Sequence, residues 1–174
     1  YTGDFCLHDT EILEGCNAAV LPEAPDLLIS ESTYGGTIRP PRRESVDQFF
    51  RQISATMNGR GNILIPTFAL HRCQEMAKRI DQAMESGVLR RYNAYLISGL
   101  AQKINRHFNA NKHLFTESLQ EQQAPFEYKH LKHVERTTDV EEPALVVCTP
   151  GFGHAGASLN LLMQWAEQEE NNVI

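Results

Sequence analysis

Basic charge, cysteine pairs and long apolar runs are what this sequence has little of. Lysine and arginine number 16 against 22 aspartates and glutamates, a formal net charge of −6. That balance does not coat nucleic acid through a general field, so any polyanion must meet a local basic patch. The four cysteines, Cys6, Cys16, Cys73 and Cys148, stand apart and form no C-x-x-C pair. Their scatter argues against a structural zinc knot and for a reduced, cytoplasmic setting. No apolar run approaches the roughly 20 residues needed to cross a bilayer, so no membrane role is expected. The seven histidines include no H-x-H and no H-E-x-x-H pattern. His130 and His133 are spaced H-x-x-H, but in a stretch without helical periodicity, and read as surface residues. A catalytic zinc needs about three protein ligands, and no complete set is legible. No Ser-His-Asp arrangement can be placed from spacing either. No signal peptide is visible and the first residue is Tyr1, so the chain reads as a mature piece or an excised fragment.

What is present is an alternation. The 174 residues, 41% hydrophobic and 22% charged, suffice for one domain with a core. "DLLIS" (26–30), "NILIPT" (62–67), "NAYLIS" (93–98) and "ALVVCT" (144–149) read as short buried strands, and "NNVI" at the end as the start of another. Between them lie helical patterns. Val46, Phe49, Phe50, Ile53 and Met57 mark the first, and Leu70, Cys73, Ala77, Ile80 and Met84 the second. A third starts near Ala101, and a last one holds Leu159, Leu162 and Met163. Such alternation predicts β-α-β units, hence an α/β fold with a mainly parallel, Rossmann-like sheet flanked by helices. Region 108–142 is polar. Its "NKHLFTESLQEQQ" reads as a helix and its remainder as a surface excursion with a weak strand.

Ligands of open parallel sheets bind at the carboxyl ends of the strands. Those ends are expected to carry Asp4, Glu31-Ser32-Thr33, Pro66-Thr67, Ser98-Gly99 and Thr149-Pro150-Gly151. Hydroxyls, glycines and two carboxylates would share an edge with helix N-termini, which suits a phosphate-bearing ligand. Capping of those helices is the plainer role for any single hydroxyl. "GFGHAG" (151–156) fits the dinucleotide fingerprint G-x-G-x-x-G, whose acidic ribose partner would lie beyond Ile174. Arg39, Arg42 and Arg43 form a basic cluster in a Pro-rich loop, suited to phosphates or simply to solvent.

Together "YTGDF", "DLLISESTYGG", "NILIPTFALHRCQE" and "VVCTPGFGHAGAS" resemble the β-CASP branch of metallo-β-lactamase-fold nucleases, the family of RNase J and of the cleavage and polyadenylation factor endonuclease. The resemblance implies that residues 1–34 are the last strands of a metallo-β-lactamase portion and residues 35–174 the β-CASP domain. It implies RNA phosphodiester hydrolysis of the mRNA-processing or decay type, with single-stranded RNA lying against this domain. It makes Asp4 a ligand bridging two zinc ions. It makes Glu31 the acidic residue that orients a general-acid histidine. Two metals would clamp the attacking and leaving oxygens, and a carboxylate behind a histidine would set its tautomer. The H-x-H-x-D-H motif and the later motif histidines of the family are absent, so this chain alone is not expected to hold the zinc pair or to cleave RNA. The missing metallo-β-lactamase domain of the same protein would be its partner. RNA contacts are expected at Ser32, Thr33, Tyr34, Thr67, Ser98, Thr149 and Gly151, with Tyr34 stacking on a base or packing on its loop. His71 stands where the family usually has glycine, no proline stands near Gly99 after the serine as the family usually has, and "TPGF" stands where "SPGM" is common. Two alternatives remain: a nucleotide-binding Rossmann-like domain using "GFGHAG", or an inactive scaffold member of an RNA-processing complex. Nothing in the sequence sets an oligomeric state.

Overall fold

The structure, a computed structural model, describes residues 1–20 and 24–174. Strands form where apolar runs stand between turn residues. They are β1 (Ile63–Pro66), β2 (Asn93–Ile97), β3 (Leu131–His133), β4 (Ala144–Cys148) and β5 (Asn172–Val173). All pair in parallel, in the order β3-β2-β4-β1-β5. Central β4 is buried throughout, which is why "ALVVC" shows no polar alternation: helices cover both faces of the sheet.

The pleat sends alternate residues to opposite faces. Ile63, Ile65, Leu145 and Val147 pack with residues of α1 (Arg42–Asn58), α2 (Arg72–Glu85) and α3 (Gly99–Ala110). Leu64, Val146 and Cys148 face α5 (Gly156–Trp165) through Leu161 and Trp165. The result is a three-layer arrangement, as an α/β chain with a parallel sheet requires. Each fully buried Ile, Leu or Met contributes about 1.5–3 kcal/mol over its exposed state. A third cluster lies outside these layers. The rings of Phe108, Phe115 and Phe126, with centroids 4.8 to 5.1 Å apart, close with Leu119 over Ile12.

Four expectations are corrected. "DLLIS" is not a buried strand: Leu27, Leu28 and Ile29 are 75%, 57% and 53% exposed. One backbone bond ties the segment to the start of the chain, Thr2 N–H to the Ile29 carbonyl (3.0 Å), and a lone two-stranded ribbon is marginal. Nor does Asp4 end a strand; it is exposed in an irregular segment. "NKHLFTESLQEQQ" is not one helix but a 3-10 turn (Lys112–Leu114) and the single turn α4 (Glu117–Gln120). The break is Phe115, whose extended backbone (φ −105, ψ −178) turns its ring into the aromatic cluster. Leu70 lies before α2 rather than on it and is 61% exposed. The intervening His71 has φ 65 and ψ −60, and the Arg72 N–H bonds the Leu70 carbonyl (2.8 Å). That is a γ-turn of the rare, strained hand.

Candidate functional site

The hydroxyls at the carboxyl ends of β1, β2 and β4 do converge. Thr149 Oγ1 donates to Ser98 Oγ (2.9 Å), and Ser98 Oγ accepts the Ala101 N–H (3.1 Å), capping α3. Thr67 N–H and Oγ1 both donate to the Cys148 carbonyl (2.8 and 3.4 Å). His133 Nε2 lies 3.3 Å from the Ser98 carbonyl. These groups stitch strand ends to one another, so each hydroxyl has a structural partner at the carboxyl edge of the sheet. Gly151 packs on the same edge: a Cβ there would come within 3.1 Å of the Thr67 backbone. Close approach of main chains thus explains the first glycine of "GFGHAG" without a phosphate. Beside it, Phe68 and Phe152 stand edge to face, 5.2 Å between centroids.

Glu31, Ser32 and Tyr34 form a separate group. They line a cleft of about 590 Å³ together with His8, Arg39, Arg42, His71 and Arg72, whose walls include none of Thr67, Ser98, Thr149 or Gly151. Thr33 is not on the wall but serves it: its N–H donates to Glu31 Oε2 (2.9 Å). That bond, the Thr33 hydroxyl and the Phe5 N–H hold the Glu31 carboxyl below its usual range, so it is an anion at neutral pH. A Cβ on Gly35 would strike the Ser32 hydroxyl where it stands, so a side chain there would require Ser32 to change rotamer. The Arg39 guanidinium lies 4.2 Å over the Tyr34 ring, a cation–π pair.

Behind the cleft is a feature that sequence reading used only as part of a motif. Glu75, with 1% of its side chain exposed, is met by Arg42, by Arg72 Nη1 (3.1 Å) and by Arg79 Nη2 (3.5 Å), and Arg79 also bonds Glu11 (2.8 Å). The signal available in sequence was the spacing of Glu75 from Arg72 (i, i+3) and from Arg79 (i, i+4). The partners from α1 and from the start of the chain had none. His71, half-buried in the same wall, has its pKa lowered by that burial.

Asp4 is close in sequence to Phe5, yet it is exposed and lines no part of this cleft. Among the described residues, no three His, Cys, Asp or Glu side chains are grouped as a metal site needs. The donors present therefore do not by themselves fit a zinc pair. Also among the described residues, no helix is long and apolar enough to cross a membrane.

Comparison with known proteins agrees with this architecture. The profile of the Beta-Casp domain matches residues 73–174, more than half of the chain. The whole chain aligns at 35% identity with Integrator complex subunit 11 of Danio rerio, of which it covers 29%. It aligns at 32% with Endoribonuclease YSH1 of Candida albicans, covering 21%, and at 30% with cleavage and polyadenylation specificity factor subunit 3 of Dictyostelium discoideum, covering 23%. The chain thus spans less than a third of the length of these curated relatives. With a parallel sheet in the order β3-β2-β4-β1-β5, a domain match over its larger part and alignment from end to end, this chain belongs to the β-CASP family.

Proposed function

We propose that this chain is the β-CASP portion of a zinc-dependent ribonuclease, with residues 35–174 forming one wall of a cleft for single-stranded RNA and residues 1–34 belonging to the metallo-β-lactamase portion. The reading rests on one observation above others: all of the chain aligns with relatives named as endoribonucleases. The dinucleotide reading of "GFGHAG" has no such support. The zinc ions would supply hydroxide and charge neutralisation when bound. Asp4 is the residue of this chain that would reach them, and the remaining ligands would come from elsewhere in the intact protein.

The part assigned to this chain is positioning. Glu31, held anionic by the Thr33 N–H at 2.9 Å, would accept a hydrogen bond from a ring N–H of a histidine and stabilise its charged form. That histidine would then protonate the leaving oxygen. Ser32, Tyr34 and the edge residues Thr67, Ser98, Thr149 and Gly151 would guide the strand toward it. Glu31→Gln in the intact protein keeps the shape and removes the charge. Turnover on a labelled oligoribonucleotide is expected to fall by roughly 10² or more, the scale of general acid–base effects, with an unchanged melting temperature. An unchanged rate would leave Glu31 an ordinary turn residue.

A further inference from the structure

Three guanidiniums share one buried carboxylate, and the charges do not cancel. Arg42, Arg72 and Arg79 bring three positive charges to Glu75, and Glu11 on Arg79 adds the second negative. One positive charge is left over. Its location follows from exposure: Arg79 is only 10% exposed, whereas Arg42 and Arg72 are 36% and 57% exposed and line the 590 Å³ cleft. Arg42 and Arg72 are also the first residues of α1 and α2, and neither helix has a side-chain cap. Two helix N-termini without side-chain caps thus meet at this wall with the positive ends of their macrodipoles, although in α2 the Arg72 and Cys73 N–H groups are taken by the Leu70 and Phe68 carbonyls. Cations are the wrong side chains for a helix start on stability grounds alone. An anion between the guanidiniums would relieve both conflicts.

From this geometry we infer a phosphodiester clamp: Arg42 and Arg72, seated on Glu75, grip one backbone phosphate of single-stranded RNA, and Glu75 is their positioning residue. The inference rests on the ribonuclease reading and deepens it by naming where the strand is held. A guanidinium has five N–H donors in a planar fork. Glu75 Oε2 takes Arg72 Nη1, and its Oε1 takes Arg42 Nη2, so each guanidinium keeps donors for a second anion. Because the acceptor is buried and common to both, it fixes the spacing between the two forks. Arg39, stacked on Tyr34 in the same cleft, extends the track. Glu14 and Glu31 line the cleft too, and they direct the polyanion toward the arginine wall and away from themselves.

The test measures binding of a fluorescein-labelled single-stranded oligoribonucleotide to the full-length protein, with chelator present to stop cleavage, over a series of salt concentrations. Wild-type affinity is expected to fall with salt. Arg42→Ala and Arg72→Ala should each weaken binding about tenfold or more and flatten the log–log salt slope by about 0.7. Arg72→Lys should keep the slope but lose affinity, because an ammonium cannot bond Glu75 and phosphate in one plane. Glu75→Gln keeps both guanidiniums and leaves the cluster one charge more positive, so its salt slope should be no flatter than the wild type's while its affinity falls, because the common seat is lost. If Glu75→Gln does not fold, the arginine variants decide. Arginine variants with wild-type affinity and slope would overturn the clamp and leave the ribonuclease reading standing. A wild-type protein without RNA affinity would overturn both.

Discussion

His71 carries a cost that its neighbours explain. Its φ of 65 and ψ of −60 place it in a turn that side-chain-bearing residues avoid, and the Arg72 N–H closes that turn on the Leu70 carbonyl. The turn lets the chain leave β1, pass the exposed Phe68 and Leu70, and start α2 with Arg72 on the cleft. Glycine would adopt the same backbone with no Cβ to strain it. His71→Gly is therefore expected to stabilise the fold by roughly 1 kcal/mol, read as a higher urea midpoint with an unchanged m-value. A lower midpoint would mean that the half-buried imidazole makes contacts worth more than the strain.

At the scale of elements, one residue ties three strands of the sheet together through its side chain and backbone. Asn62 precedes β1, and its Oδ1 accepts the Ala144 N–H at the start of β4 (2.9 Å) while its Nδ2 donates to Glu142 (2.9 Å). Its backbone N–H donates to Asn171 Oδ1 (2.7 Å), and its carbonyl accepts the Asn172 N–H of β5 (2.9 Å). The amino ends of three strands thus meet on a residue that is 5% exposed. Asn62→Asp would turn the donor into an oxygen facing the Glu142 carboxylate. A loss of roughly 1–3 kcal/mol is expected at pH 7. Burial and a like charge raise the folded-state pKa of the new aspartate above its unfolded value. Its penalty is therefore full above the folded pKa and relieved as pH falls through it. Urea unfolding at pH 7 and at pH 4 should show a deficit that shrinks at pH 4. A deficit equal at both would place the loss in packing.

Across the whole molecule, the first 20 residues are held to the α/β layers by few contacts. Ile12 is fully buried among Phe115, Leu119 and Phe126, its carbonyl accepts the Thr116 N–H (3.3 Å), and Glu11 bonds Arg79. None of these groups belongs to the sheet. Ile12→Ala is expected to cost about 2–5 kcal/mol of docking, but to leave the sheet intact. Hydrogen exchange should then speed up at the Thr116 amide and leave the β4 amides unchanged, as for a locally opening unit. Equal acceleration in β4 would show that the first segment and the sheet unfold as one.

The sequence by itself determined the elements whose burial is complete on both faces. "NILIP", "NAYLI" and "ALVVC" are apolar without alternation because each lies inside the sheet between helix layers, and the period of Phe49, Phe50, Ile53 and Met57 follows from one helix face on that sheet. Family membership was legible for the same reason that motifs are: their residues are contiguous. Tertiary structure alone decided what depends on neighbours far along the chain. "DLLIS" has the composition of a buried strand but no ladder to join, so it lies exposed. "NKHLFTESLQEQQ" has helical composition, yet the pull of the aromatic cluster on Phe115 breaks it. The expected site divides in the structure. Thr67, Ser98, Thr149 and Gly151 meet because parallel strands end in register, whereas Glu31, Ser32 and Tyr34 face a different wall. That wall is made by Arg42 and Arg72, 30 positions apart in sequence. No local pattern could pair them, because what joins them is a third residue, Glu75, buried in the first turn of α2 against the start of α1.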